Sequence, residues 1–134
     1  MHFLLAAVLL SVPHTQEKSQ EHPLLRAARE SLSDSTKPFT VVVKFKVKDG
    51  QGPKFEAAVA NAVKETRKEK GNQAYELSRS AKGLNYVIYE RWENLAALAA
   101  HLKTPHFKTA FEAVDPLLEK EIELDLMVPV SAGD

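Results

Sequence analysis

The segment His101-Leu-Lys-Thr-Pro-His106 carries the two side chains best suited to moving a proton. Imidazole changes charge near neutral pH, so a histidine can act as a general base at physiological pH. The spacing of apolar residues predicts that His101 lies near the end of one short helix and His106 at the second position of the next. The positive end of a helix dipole disfavours an imidazolium, which would keep His106 neutral. We predict His101 and His106 as candidate catalytic bases.

Both histidines also have a structural interpretation. His101 could donate to the carbonyl groups at the end of its helix, and His106 could serve only local packing. A metal site is a third alternative, in which both imidazoles join Glu90 or Glu93 as a two-histidine, one-carboxylate set. Such a set needs converging side chains, which spacing alone does not establish. The sequence prediction is that the protein holds no metal and no other cofactor.

Composition and motifs exclude several other kinds of chemistry. The chain has no cysteine, which removes disulfides, thiolate nucleophiles, iron–sulfur clusters and cysteine-based zinc sites. Eighteen Lys+Arg balance eighteen Asp+Glu, and this formal net charge of zero gives no sign of a nucleic-acid partner. A phosphate-binding glycine loop, a dinucleotide fingerprint and a Ser/His/Asp arrangement are also missing from the sequence. Any oxidation must therefore draw its electrons from the substrate.

Aromatic residues near the histidines are, on their spacing alone, more often core residues than ligand-binding ones. They are Tyr75, Tyr86, Trp92, Phe107 and Phe111. A flat, apolar ligand needs stacking walls of this kind, so these rings become the candidate substrate-binding residues if the domain encloses a pocket, as the resemblance described below implies. Glu90 is expected on the same strand face as Tyr86 and Trp92, so it must be paired or hydrogen-bonded if it is buried. Lys44 and Arg79 are its candidate partners.

The elements that position these residues follow from hydrophobic periodicity. Alternation of apolar residues predicts strands, and three- and four-residue spacing predicts amphipathic helices. The predicted strands are 39–48, 73–80, 84–92 and 121–130, and the predicted helices are 53–69, 95–102 and one that begins at Thr104-Pro105. In helix 53–69, Glu69 falls among the charged residues expected to face solvent. This β-α-β-β-α(α)-β order predicts an α+β, ferredoxin-like fold with a four-stranded antiparallel sheet and helices on one side.

The N-terminal part of the chain is expected to lie outside that fold. Residues 3–12 form an apolar run that is too short to span a bilayer but matches the core of a signal peptide. The start of the chain lacks an Ala-x-Ala cleavage site and a lysine or arginine before the run, so export and a cytoplasmic location both stay open. We divide the chain into an apolar segment (1–16), a linker with one short helix (17–36) and the domain (37–131).

The outer face of the predicted sheet is too apolar for a surface that faces water alone. Val42 on the first strand and Met127 on the last are expected there, where a half-exposed sheet is usually more polar. A second copy of the same sheet is the simplest cover. The sequence thus predicts a homodimer formed through the sheet face.

Several segments of the domain, in this order, resemble the antibiotic biosynthesis monooxygenase family. They are Val41-Val-Val-Lys-Phe-Lys-Val-Lys-Asp-Gly50, Glu65-Thr-Arg-Lys-Glu-Lys-Gly71, Tyr75-Glu-Leu-Ser-Arg79, Tyr89-Glu-Arg-Trp-Glu-Asn94 and His101-Leu-Lys-Thr-Pro-His-Phe107. The resemblance covers about residues 37–130, and its last two segments are similar to the quinol monooxygenases of that family. It implies a dimeric α/β-barrel assembly and a pocket between the helices and the curved sheet.

The resemblance implies oxidation of a quinol or polyphenol by O2 to a quinone without a cofactor, with His101 or His106 as the base. A non-catalytic module that binds a small aromatic or signalling ligand is the alternative. The family also contains heme-degrading enzymes, which use an asparagine, a tryptophan and an iron-ligating histidine. When the chain is aligned on Gly50 and Trp92, the positions of those three residues are occupied by Val43, His101 and Phe111. All three residue types are replaced, which disfavours the heme alternative.

Overall fold

The computed structural model describes residues 20–130, and the predicted apolar segment 1–16 lies outside the described residues. Four strands form one antiparallel sheet in the order β2-β3-β1-β4. The strands are β1 (Phe39–Lys46), β2 (Asn72–Arg79), β3 (Asn85–Trp92) and β4 (Glu123–Met127). This confirms the predicted α+β, ferredoxin-like fold. Within residues 20–130, no helix combines the length and the apolar character needed to cross a membrane.

Four α-helices accompany the sheet. They are α1 (Pro23–Ser31), α2 (Gly52–Thr66), α3 (Leu95–His101) and α4 (Pro105–Val114), and a 3-10 turn follows at Asp115–Leu117. The side chains of Asn94 and Thr104 accept hydrogen bonds from the first turns of α3 and α4, as expected of amide and hydroxyl N-caps. These caps fix two helix starts only ten positions apart, which brings His101 and His106 into one region.

One face of the sheet forms the core beneath the helices. In β1 the alternate residues Val41, Val43 and Phe45 are buried, opposite Glu90, Ile88 and Tyr86 of β3. Partner residues in an antiparallel pair point to the same side, so the register puts all six side chains on one face. The alternation expected from the sequence therefore holds in both central strands.

The helix α1 belongs to the folded domain, which corrects the expectation that residues 1–36 stand outside it. Leu24 and Ala28 are buried, and α1 contacts α3 and β4. The backbone N–H of Leu95 also donates to the carbonyl of Ser35 at 3.0 Å. The helical spacing of Leu24, Leu25, Ala28 and Leu32 predicts a short helix, but it does not predict what that helix packs against. The linker assignment is therefore wrong for this helix.

The turn after α2 depends on a glycine that packs closely against α3. Gly71 has φ +87°, and a Cβ added there would lie 2.6 Å from the Cβ of Ala97. The carbonyl of Gly71 also accepts a hydrogen bond from the N–H of Glu93 at 2.8 Å. A side chain at residue 71 would therefore push the turn away from the helix that carries His101.

Gly71→Ala should destabilise the protein more than Gly50→Ala does. Gly50 has φ +76° with nothing within 4 Å of an added Cβ, so alanine there meets only the backbone penalty of about 1–2 kcal/mol. At residue 71 the clash should add about 1–3 kcal/mol. Urea unfolding of both variants measures the difference. Equal losses of unfolding free energy would show that the approach to Ala97 does not constrain the turn.

Candidate active site

Because α2 ends earlier than predicted, the charged side chain of Glu69 lies largely inside the protein. α2 ends at Thr66, three residues before the predicted end, and the chain then forms a turn in which the N–H of Glu69 donates to the carbonyl of Thr66 at 3.0 Å. The Glu69 side chain is only 14% exposed. The prediction that Glu69 faces solvent on a continuing helix is wrong, because the helix stops before the residue is reached.

Glu69 joins the two candidate histidines through a single oxygen atom. Its Oε2 lies 2.8 Å from Nδ1 of His101 and 2.8 Å from Nε2 of His106. The three residues come from the turn after α2, the last residue of α3 and the first turn of α4. We call this group the Glu69 triad. The structure thus brings His101 and His106 together through a carboxylate that lies between them.

The triad assigns a tautomer to each imidazole. An ionised carboxylate only accepts hydrogen bonds, so a neutral ring must carry its proton on the nitrogen that faces Glu69. His101 then holds its proton on Nδ1 and has a lone pair on Nε2. His106 holds its proton on Nε2 and donates from there. Of the two, His101 lines the cavity described below, and its Nε2 is the ring nitrogen that Glu69 leaves unbonded.

Burial controls the charge of His101. Its side chain is 1% exposed and packs against the rings of Trp92 and Phe107, with centroids 4.8 and 5.1 Å away. Burial lowers the pKa of His101 below its usual 6.5, while the hydrogen bond and charge of Glu69 oppose that shift. The ring is therefore neutral at pH 7, which is the state a general base requires.

A cavity of about 810 Å³ lies between the sheet and the helices and is lined mainly by apolar side chains. The sheet contributes Val43, Phe45 and Ile88, and α2 and α4 contribute residues such as Val59 and Val114. Its volume suits a small organic molecule.

Four of the seven predicted site residues line this cavity: His101, Tyr75, Phe107 and Phe111. The phenol of Tyr75 is buried, and burial, followed by the charges of Glu90 and Glu69, raises its pKa far above 10. Tyr75 therefore stays protonated and can act only as a neutral hydrogen-bond donor or acceptor. Phe107 and Phe111 stack with ring centroids 6.0 Å apart and form one apolar wall.

The other three predicted residues do not line the cavity. Tyr86 is buried against Phe55, with ring centroids 4.6 Å apart, and its hydroxyl donates to Glu56 at 3.1 Å. Trp92 is fully buried beneath His101. His106 reaches the site through Glu69 alone. The sequence could not separate these cases, because strand parity puts residues on a face without saying which of them a helix covers.

Glu90 is buried on the cavity side of β3, and no lysine, arginine or histidine within residues 20–130 pairs with it. Its Oε1 accepts a 3.1 Å hydrogen bond from the indole N–H of Trp92. The proposed partners lie elsewhere, because Lys44 pairs with Asp125 at 2.7 Å and Arg79 approaches Glu56 at 3.7 Å. Burial raises the pKa of Glu90 to about 7. The carboxyl group is thus close to half-protonated at neutral pH.

Within residues 20–130, the Glu69 triad also has a geometry suited to a metal ion. Its three ligand atoms all lie within 4.8 Å of one another. Two imidazoles and one carboxylate fit a divalent transition metal, whereas the set imagined with Glu93 does not form, because that side chain is exposed. The same 2.8 Å contacts are ordinary hydrogen-bond distances.

Sequence reasoning missed two residues of the site. The sequence predicts that Glu69 faces solvent on a helix, although Gly71 two residues later marks where that helix could stop. It places His22 in the linker, yet the ring of His22 lines the cavity and packs edge-on against Phe107, with centroids 5.6 Å apart. The proline that follows His22 signalled the helix start, but no local signal tied that helix to the cavity.

Comparison with known proteins agrees with this architecture. A protein called "Putative monooxygenase Rv0793" from Mycobacterium tuberculosis is 27% identical over 95 residues, which are 71% of this chain and 94% of that protein. The structure of Rv0793 superposes with a TM-score of 0.68 at 26% identity, covering 73% of this chain and all of the other.

Two further structures share the fold. A Caulobacter crescentus protein, described in its title as a putative antibiotic biosynthesis monooxygenase, has a TM-score of 0.67 at 26% identity and covers 72% of this chain and 93% of its own. A Nitrosomonas europaea structure with 20% identity and a TM-score of 0.69, which covers 77% of this chain and 100% of its own, shows the fold alone. The family model described as antibiotic biosynthesis monooxygenase matches residues 38–113, more than half of the chain. The protein therefore belongs to the antibiotic biosynthesis monooxygenase family.

Proposed function

We propose that the protein is a cofactor-independent monooxygenase that oxidises a quinol or polyphenol with O2 to a quinone. The observation that carries this proposal is a neutral, buried histidine that faces an apolar cavity while a carboxylate holds its other nitrogen. A carboxylate behind an imidazole fixes the tautomer and stabilises the cation that forms when the ring takes a proton. Family membership supports an oxygenase but does not identify the substrate.

In this proposal His101 is the catalytic base. Its Nε2 removes the proton of an aromatic O–H, and the positive charge that develops on the ring is balanced by Glu69. His106 is a positioning residue, since its contact with the site is a hydrogen bond to Oε2 of Glu69. The neutral phenol of Tyr75 can donate to the substrate oxygen as that oxygen becomes anionic.

The remaining chemistry belongs to the substrate and O2. The substrate anion passes one electron to O2, giving a substrate radical and superoxide, which combine to form a C–O bond. The peroxide takes back the proton from the His101 imidazolium. Loss of the C–H proton from the same carbon then breaks the O–O bond, releases water and leaves a C=O group. Of the two oxygen atoms, one ends in the quinone and one in water.

The cavity supports a flat, apolar substrate. Tyr75 and Phe107 both pack against His101, with ring centroids 5.7 and 5.1 Å from its imidazole. A planar ring that packs against these side chains is shielded from water while its O–H reaches the imidazole. Exclusion of water also limits escape of the radical pair before it recombines.

Oxygen uptake by reduced menadiol should depend on His101. We expect wild-type protein to take up oxygen faster than buffer alone. In His101→Ala this excess rate should fall at least about 100-fold, because a general base contributes a factor of about 10²–10⁴ to the rate. Lys108→Ala, at an exposed position of α4 that does not line the cavity, is the control and should retain the excess. If no tested quinol gives oxygen uptake above the buffer rate, a non-catalytic binding module would be favoured. A Soret shift with added hemin would support the heme alternative.

The pH profile of that activity tests the role of Glu69. The rate should rise with pH as His101 loses its proton, with a midpoint below pH 6.5 because burial lowers the pKa of His101. Since the Glu69 charge opposes that shift, Glu69→Gln should move the midpoint lower still while also lowering the plateau rate. An unmoved midpoint would contradict the coupling, and loss of activity in a metal chelator would contradict the cofactor-independent mechanism.

Glu90→Gln should stabilise the protein increasingly as pH rises. The folded protein holds the Glu90 proton up to a pKa of about 7 against an ordinary 4.5, so it binds more protons than the unfolded chain between these values and loses stability as pH increases. Glutamine keeps the acceptor for Trp92 and cannot ionise. The free energy of unfolding of Glu90→Gln should exceed that of wild-type protein by under about 1 kcal/mol at pH 5 and by about 3 kcal/mol at pH 8.

Urea unfolding at the two pH values measures this change. Glu119→Gln is the matched control, because its side chain is 55% exposed and pairs with Lys46 at the surface at 3.7 Å. A pH-independent effect of Glu90→Gln would mean that Glu90 ionises as freely in the folded protein as in the unfolded chain.

We also propose that two copies of the chain associate through the outer face of the sheet. Tyr89 and Met127 are 40% and 54% exposed on that face, and Val42 is half-buried between them. Burial of these side chains against a second sheet would remove apolar surface from water.

Light scattering should give the mass of two chains for wild-type protein. Tyr89→Lys combined with Met127→Lys should give one chain, because the charges would face each other across the interface. Ala96→Lys, at an exposed position on α3, is the control and should stay dimeric. A monomeric wild-type protein would overturn the proposed assembly.

A further inference from the structure

The cavity contains a second imidazole that comes from outside the family domain. His22 precedes α1, whereas the family match begins at residue 38. Its ring packs edge-on against both Phe107 and Phe111, with centroids 5.6 and 6.5 Å away. Phe107 also contacts His101, with ring centroids 5.1 Å apart. Both imidazoles therefore pack against Phe107 and line the same cavity.

The local backbone assigns a tautomer to the neutral ring of His22. In this tautomer Nε2 donates a hydrogen bond, whereas Nε2 of His101 accepts one. Nδ1 of His22 accepts a 3.1 Å hydrogen bond from the N–H of Leu24, as the cap of α1. A backbone N–H can only donate, so Nδ1 holds a lone pair and the proton of the neutral ring lies on Nε2. Burial lowers the pKa of His22, which favours this neutral form at pH 7.

Nε2–H of His22 has no hydrogen-bond partner among residues 20–130. His101 offers the cavity a nitrogen that accepts, whereas His22 offers one that donates. A ligand that satisfies both needs an O–H group at one end and an oxygen that accepts at the other. Tyr75 lines the same cavity and contacts His101, with ring centroids 5.7 Å apart.

We propose that His22 is a specificity-determining residue, which donates from Nε2 to the second oxygen of an aromatic ligand whose O–H faces His101. This assignment rests on the proposed function, which orients the ligand with its O–H at His101. It deepens that function because His22 would favour ring systems with oxygens at opposite ends. Monophenols fill the same cavity without using His22.

Anaerobic titration calorimetry with two ligands at pH 7 tests the assignment on the full chain. 1-Naphthol carries one O–H, and 4-methoxy-1-naphthol adds an acceptor oxygen across the ring. His22→Asn removes the Nε2–H group but keeps a side-chain oxygen able to cap α1. We expect this variant to bind 4-methoxy-1-naphthol about three- to tenfold more weakly than wild type does, and 1-naphthol within about twofold of wild type.

His22→Phe is the second variant, because it keeps a ring against Phe107 and Phe111 while it removes the donor. It should show the same selective loss for 4-methoxy-1-naphthol. Equal losses for both ligands, no loss for either, or failure of wild-type protein to bind 4-methoxy-1-naphthol would overturn the assignment.

The outcome is separable from that of the proposed function. Oxygen uptake that depends on His101, together with unselective naphthol binding, would refute the role of His22 alone. Selective loss of 4-methoxy-1-naphthol binding in a protein without oxygen uptake would support the role of His22 in a binding module and refute the oxygenase.

Discussion

The hydrogen bonds that converge on one oxygen of Glu69 are the interaction on which the site depends. They join three separate elements, the turn after α2 and the helices α3 and α4, at distances of 2.8 Å. The arrangement requires α2 to end at Thr66 and the turn to pack against α3 at Gly71. Local backbone geometry thus sets the tautomer of a histidine 32 positions further along the chain.

Beneath that contact, the core holds the base rigidly. Trp92 is fully buried under His101 and donates to Glu90, so the packing that supports the imidazole also satisfies a buried carboxyl group. Such support matters because a catalytic geometry is lost when side chains move by a fraction of an ångström. The core and the site are therefore one structure, and changes in either are expected to affect both.

Much of the fold was predictable from the sequence because it depends on short-range patterns. Alternation in β1 and β3, the cap at Asn94 and the Thr104-Pro105 start all act within a few residues. The site was less predictable, since contacts between distant elements decide which side chains meet. His101 could be chosen by its chemistry, whereas Glu69 and His22 required the end of one helix and the docking of another. Tyr86 and Trp92 share the predicted strand face, but other side chains cover them.

The cavity is assembled from two sources with different constraints. The strands β1 to β3 and the helices α2, α3 and nearly all of α4 fall within residues 38–113, the region matched by the family model, while α1 and His22 precede it. α1 lies outside the sheet and carries no residue of the Glu69 triad. An evolving lineage could exchange this helix to admit a differently shaped molecule and leave the proton-transfer machinery intact. Selectivity and reactivity would then be inherited as separate traits.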